Sequence, residues 1–192
     1  MLLALSFLID HVIAYPGQSN THTLSFAALH ADGKIATWGM YDENATGFMN
    51  SAPSGADFTS IHTNDRAFAA LRSNGSVAVW GDPRWGGRGS TPPQDAGYVD
   101  ISSTSSAFAA RHSSGKIAVW GNAKCGGIGA PSDIGYIFIA NTRRAFAALD
   151  NEGTIKVWGD GLEERGFANR VYVYVKGNRD SFAAIDSNGC VH

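Results

Sequence analysis

The chain has 192 residues, room for one domain rather than two, and its 44% hydrophobic content is enough for a core and argues against a disordered tail. Lys+Arg 15 against Asp+Glu 17 leaves a formal net charge of −2, which excludes a basic coat that would hold nucleic acid through its phosphates. Glycine, at 23 residues, is abundant and implies many turns, whereas two cysteines, Cys125 and Cys190, are too few for a disulfide framework or a thiolate zinc site.

The first element is an apolar run from Leu2 to Ile9. It has the apolar core of a secretory signal, with Val12 and Ala14 placed for cleavage, but no Lys or Arg precedes it and Asp10 and His11 follow directly. It is far shorter than the ~20 residues of a membrane-spanning helix. We read it as a buried first strand.

From Ser25 onward the chain repeats. SFAALHADGKIATWG from Ser25, AFAALRSNGSVAVWG from Ala67, AFAARHSSGKIAVWG from Ala107 and AFAALDNEGTIKVWG from Ala145 align without a gap, and SFAAIDSNGCVH from Ser181 is a fifth copy. Phe26, Phe68, Phe108, Phe146 and Phe182 mark the copies, and Trp38, Trp80, Trp120 and Trp158 close the first four. Each copy has an apolar run, a turn with a polar or charged residue before Gly, and a second β-rich run, so each predicts a hairpin. Ahead of each of the last four hairpins stand an aromatic and an aliphatic residue: Phe58 and Ile61, Tyr98 and Ile101, Tyr136 and Ile139, Tyr172 and Val175. They predict a third strand. Repeat one lacks this outer-strand pair, because Pro16 and Ser19 occupy its positions. The repeats run roughly over 16–40, 56–82, 96–122, 134–160 and 170–192 of a single domain.

Both faces of the strands are apolar, since Phe68 and Ala70 point one way and Ala69 and Leu71 the other. Sheets with one wet face would alternate apolar with polar. The expected fold is therefore all-β, a β-propeller of about five blades, either closed or an incomplete arc of a larger propeller. A linear solenoid of sheets is the second possibility.

The pattern FAAL-x-x-x-G-x-(V/I)-x-x-WG, with Gly75 to Gly87 as its best match, resembles the repeat of the regulator of chromosome condensation family in a compact microbial form. The resemblance covers residues 20–192. Two features depart from it: Phe stands where the family usually has the His of Gly-x-x-His, and the family propeller usually has seven blades. It implies a propeller that serves as a protein-binding surface. The family includes a guanine-nucleotide exchange factor for a small nuclear GTPase, domains of large HECT-type ubiquitin ligases and a bacterial enzyme inhibitor.

No catalytic constellation emerges. Gly81 to Gly86 and Gly121 to Gly126 have the glycine spacing of a phosphate loop, but Gly87 and Gly127 stand where its lysine belongs. His30 and His112 share a repeat position with Arg72, Asp150 and Asp186, the variability of a solvent-facing site, and the other histidines lack metal-ligand spacing. We expect no enzyme, cofactor or metal, and neither nucleic acid nor membrane as partner. The cytoplasm is preferred to secretion. The repeated tryptophans read as packing residues; Trp85, outside the repeat, reads as a contact anchor.

The loop before each Phe and the loop after each Trp lie at one end of the hairpins, and the Gly turns at the other. The former carry Arg66, Arg143, Arg144 and Arg179, and the latter Arg84, Trp85, Lys124 and Arg165. These residues form the candidate face for a protein partner, because variable loops over a rigid scaffold tend to carry binding. Nucleotide exchange on a small GTPase and a secreted carbohydrate-binding propeller are the alternatives. If a ring closes, Leu5 to Ile9 should lie beside the last repeat as a strand or plug.

Overall fold

The computed structural model describes residues 9–15, 25–39, 52–160, 167 and 170–192. Its strands are β1 (Ile9–Tyr15), β2 (Ser25–His30), β3 (Ile35–Gly39), β4 (Phe58–Thr63), β5 (Ala67–Arg72), β6 (Val77–Gly81), β7 (Tyr98–Ser103), β8 (Ala107–His112), β9 (Ile117–Gly121), β10 (Tyr136–Asn141), β11 (Ala145–Asp150), β12 (Ile155–Gly159), β13 (Tyr172–Gly177) and β14 (Phe182–Asp186). They form antiparallel sheets in chain order: β1-β2-β3, β4-β5-β6, β7-β8-β9, β10-β11-β12 and the two-stranded β13-β14. After β14 the chain turns back, and Ala184 and His192 exchange both backbone hydrogen bonds, at 2.9 and 2.8 Å.

Each hairpin turns on a glycine with positive φ, from 77° at Gly33 to 84° at Gly153. The turn also seats the following sheet. The carbonyls of Gly33, Gly75, Gly115 and Gly153 accept the N–H groups of Phe58, Tyr98, Tyr136 and Tyr172, at 3.1, 3.0, 3.2 and 2.8 Å. A β-carbon on Gly115 would lie 2.5 Å from the backbone nitrogens of Gly135 and Tyr136, whereas one on Gly189 would meet nothing within 4 Å. Both sites carry the backbone strain of alanine at positive φ, about 1–3 kcal/mol. Gly115→Ala should therefore lower the urea midpoint clearly more than Gly189→Ala; equal losses would mean that the seat is not tight.

The two faces of each sheet are unlike, and they pack like on unlike. In β4-β5-β6, Phe58, Ile61, Phe68, Ala70 and Trp80 face the preceding sheet and pack on Ala27, Leu29 and Ile35. Its other face, Ala67, Ala69 and Leu71, receives Tyr98, Ile101, Phe108 and Trp120 of the next. The same contact recurs at the following interface, where Ala107 and Ala109 meet Tyr136, Ile139, Phe146 and Trp158. Small side chains opposite rings let the sheets approach to native packing density. Within each aromatic face, Phe and Trp are direct cross-strand partners and stack, with centroids 5.0 Å apart for Phe68–Trp80 and 5.3 Å for both Phe108–Trp120 and Phe146–Trp158.

Phe68, Phe108 and Phe146 are buried as expected, but Phe26 and Phe182 are only half-buried. They stand in the terminal sheets. No described sheet covers the aromatic face of the first, and Trp38 is 43% exposed.

Two expectations about the first strands are corrected. The strand preceding each hairpin is not an outer strand: β4, β7, β10 and β13 lie against one another and form the inner edge of the array. The first sheet has such a strand too. It begins at Ile9 rather than 16, with Ile9 opposite His30 and Val12 opposite Ala28, the register positions of Phe58 and Ile61. A longer connection to β2 had displaced the pair from Pro16 and Ser19. Leu2 to Leu8 lie outside the described residues, so their expected strand or plug is not described.

Candidate functional site

The loops before the phenylalanines are shaped by one repeated acceptor. Asn64, Thr104, Thr142 and Asn178 each take backbone N–H groups two and three residues ahead, as in Asn64 Oδ1 from Arg66 at 3.1 Å and Ala67 at 2.9 Å, or Thr142 Oγ1 from Arg144 at 3.3 Å and Ala145 at 3.1 Å. The loops then link to one another. The N–H of Asp65 donates to Ser105, that of Ser105 to Arg143 and that of Arg143 to Arg179, at 3.2, 2.9 and 2.8 Å. The link crosses one sheet at a time, so the loop tips form a continuous strip around the inner edge.

Beside the strip opens a cavity of about 390 Å³, lined by Thr63, Asp65, Ser103, Asn141, Arg143 and Arg179 among others. Arg143 makes no ion pair among the described residues, and Arg179 reaches only its neighbour Asp180, at 3.9 Å. Burial pushes the Asp65 carboxyl above the ordinary carboxylate range, against the pull of Arg143 and Arg66. The lining thus combines two arginines with Asp65, while the hydroxyls of Ser103 and Thr63 already donate to backbone carbonyls, Ser103 to Thr63 at 2.7 Å and Thr63 to Ala67 at 3.2 Å. The arrangement suits a carboxylate-bearing ligand.

The remaining candidate residues divide. Arg66 and Arg84 stack on Trp85, 5.1 and 4.9 Å from its ring, and Arg84 also pairs with Asp82 at 2.8 Å. Trp85 itself is half-buried against the neighbouring sheet contact, and its carbonyl accepts from Asn64 Nδ2 at 2.7 Å. The Trp85 ring is thus clasped by two arginines. Arg144 turns outward to Asp160, at 3.1 Å. Lys124 is exposed on the turn after β9, and Arg165 lies outside the described residues. The structure therefore brings Arg143 and Arg179 together at the cavity and Arg66, Arg84 and Trp85 into a second cluster.

The inner edge carries one titratable group of note. His62 Nε2 lies 3.0 Å from Ser60 Oγ, and burial holds the imidazole below the ordinary histidine value, with Asp100 pulling the other way. The unfolded chain thus binds the proton more readily than the folded one. Its contribution to stability is complete above about pH 6.5 and is lost as the pH falls below that value. The fall in melting temperature between pH 7 and 5 should be shallower in His62→Gln; an unchanged slope would assign the acid sensitivity elsewhere.

Among the described residues, no three His, Cys, Asp or Glu side chains gather to hold a metal ion, and no helix is long and apolar enough to cross a membrane. Cys125 is buried and Cys190 exposed, both free thiols.

No protein-family model matches the chain, and its sequence has no match among curated proteins. Solved structures do match. The fold is similar to the CRINKLY WD40 ectodomain from the Arabidopsis thaliana receptor kinase ACR4, with TM-score 0.60, 15% identity, and coverage of 94% of this chain and 67% of that one. It is similar to Prp20p from Saccharomyces cerevisiae, with TM-score 0.60 and 13% identity, covering 87% of this chain and 55% of that one. It is similar also to the ectodomain of the Physcomitrella patens receptor kinase CR4, with TM-score 0.59 and 15% identity, covering 85% and 46% respectively. The chain therefore has an all-β, propeller-type fold and spans between 46 and 67% of the length of these three structures.

Proposed function

We propose that the chain is a non-catalytic protein-interaction module whose inner loop strip binds an acidic segment of a partner protein. The observation that carries this reading is the cavity of about 390 Å³ where Arg143 and Arg179 stand beside Thr63, Ser103 and Asn141. Arginine is the usual receptor for a planar carboxylate, and Arg143 has no ion pair among the described residues. The loop strip is braced from sheet to sheet, so little ordering would accompany binding.

Proteins of similar fold lend support. Prp20p was crystallised in a study of its binding to Gsp1p and histones, and a further structure holds Kap60 bound to it. With the repeat resemblance, we read the five sheets as blades of the regulator of chromosome condensation type, in a small ring or an arc of a larger one.

The test compares capture of partners from cell extract by the parent chain, by Arg143→Glu/Arg179→Glu and by Lys34→Glu/Lys116→Glu. Lys34 and Lys116 lie at the Gly-turn end and are already paired with Asp32 and Asp95. A specific partner should be lost with the first pair and kept with the second. The reverse pattern would place the binding face at the wrong end, and accelerated nucleotide release from a small GTPase would replace plain binding with exchange.

A further inference from the structure

An amphipathic surface runs along the inner edge and arises from a bulge that each first strand from β4 onward carries at the same place. Phe58 pairs with Arg72 but Ser60 with Leu71, and the same shift follows Tyr98, Tyr136 and Tyr172. A bulge adds one residue and breaks the alternation of a strand. Two successive side chains therefore leave the packed stack, and β10 and β13 both open with the order buried, exposed, exposed, buried.

At the second bulge position stand Ser60 in β4, Asp100 in β7, Phe138 in β10 and Tyr174 in β13. Apolar character is thus concentrated on β10 and β13, where Ile137, Phe138, Val173 and Tyr174 are between 39 and 60% exposed. Phe138 and Tyr174 stack across the two sheets with centroids 6.2 Å apart, which makes the patch continuous. Exposed apolar patches mark interaction sites. Further along the same two strands the surface becomes cationic. Lys176 is exposed two residues beyond Tyr174, and Arg143 and Arg179 each follow five residues beyond the stacked ring of their own strand. At ~3.3 Å per residue, the arginine loops stand about 10–16 Å from the rings.

We propose that the segment bound at Arg143 and Arg179 is amphipathic: an extended stretch of a partner protein that sets its carboxylates at the arginine loops and lays apolar side chains on Phe138 and Tyr174, about three to five residues away. The proposal rests on the acidic-partner reading and extends it. Charge sets the direction of the segment. Its carboxylates meet Arg143, Lys176 and Arg179 at the loop end, whereas at the other end Asp100 of the neighbouring β7 occupies the position that matches the two rings and repels them. β10 and β13 are edge strands with one row of backbone groups outside the ladder, which suits an extended segment rather than a helix. A wholly acidic segment would leave the rings in water, and a wholly apolar one would leave the cations without a partner.

The test measures, by fluorescence anisotropy with the full chain, the binding of two labelled peptides, Glu-Glu-Thr-Ser-Thr-Phe-Leu and Glu-Glu-Thr-Ser-Thr-Ser-Ser, each made in both chain directions. In its better direction the first should bind about tenfold tighter than the second, as partial burial of two apolar side chains allows. Phe138→Ser/Tyr174→Ser should abolish this advantage and leave the affinity for the second peptide unchanged, whereas Arg143→Glu/Arg179→Glu should weaken both peptides. Ile137→Ser/Val173→Ser, at still more exposed positions, is the companion pair in case the ring variant loses its native circular dichroism, and it should shrink the advantage about threefold or more. Equal affinity of the parent chain for the two peptides, or an advantage that survives both serine pairs, would overturn the proposal and leave the acidic-partner reading standing. Binding of neither peptide, or binding indifferent to the arginine variant, would overturn both.

Discussion

Replacing Phe108 with alanine should cost about 3–5 kcal/mol, enough to unfold a large fraction of a domain whose total stability is of the usual ~5–15 kcal/mol. The ring is fully buried, stacks on Trp120 at 5.3 Å and fills the space left by Ala67 and Ala69 of the preceding sheet. Its loss would leave a cavity that the two alanines cannot enter, because their β-carbons belong to a paired strand. The loss should also reach the loops, since Gly86 lies against the Phe108 and Trp120 rings and its carbonyl accepts the Trp120 indole N–H at 3.0 Å. Phe182→Ala is the internal control. That ring is half-buried and stands in a two-stranded sheet, so its truncation should cost clearly less. Urea denaturation of both variants decides the matter; equal shifts in midpoint would mean that the terminal sheet is packed as tightly as the central ones.

The contrast marks how far the fold was legible in the residues. Hairpins could be read because Gly75 and its counterparts must adopt positive φ, and because apolar runs on both sides of them have strand length. Sheet-on-sheet packing could be read because alanines alternate with rings at fixed positions. The bulges were equally present in the sequence and were missed. Phe58 and Ile61 are three residues apart yet both buried on one face, which a regular strand of period two cannot do. The same spacing in Tyr98 and Ile101 was the sign of an inserted residue. Strand β1 was hidden for a different reason: its aliphatic residues match the aromatic ones elsewhere only in register, and register depends on pairing rather than on distance along the chain.

At the candidate site the legible part was position and the illegible part was direction. Arg143 and Arg144 are sequence neighbours on one loop, yet Arg143 lines the cavity and Arg144 leaves it for Asp160. Adjacent side chains on a turn diverge, and only the path of the backbone says which way. Trp85 was recognised as exceptional, but its partners Arg66 and Arg84 come from two different loops. The acceptors Asn64, Thr104, Thr142 and Asn178 had a signal in the sequence, since each stands four residues before its Phe. Their variation between Asn and Thr conceals one role, acceptance of backbone N–H groups in a turn.

Charge reversal at Arg143 and Arg144 should slow association with an acidic partner by about tenfold or more at low salt, and should flatten the dependence of the association rate on salt. The four loop arginines against Asp65 and Asp180 give the inner loops a formal excess of two positive charges, within a chain of net charge −2. Reversing Arg144 frees Asp160 from its ion pair and leaves two acidic groups there, so the single variants should differ. Arg143→Glu acts at the cavity itself and should also speed dissociation, whereas Arg144→Glu should act mainly on the rate of encounter, because it removes field without removing a contact. Trp85→Ala belongs to a third class. It takes away the ring that orients Arg66 and Arg84, so its main effect should fall on dissociation, with the salt dependence intact. Stopped-flow or surface-binding kinetics over a range of ionic strength would separate the three. Equal association rates for all variants at low salt would show that the partner meets the chain elsewhere, since a steering field cannot lose this much charge without a change in rate.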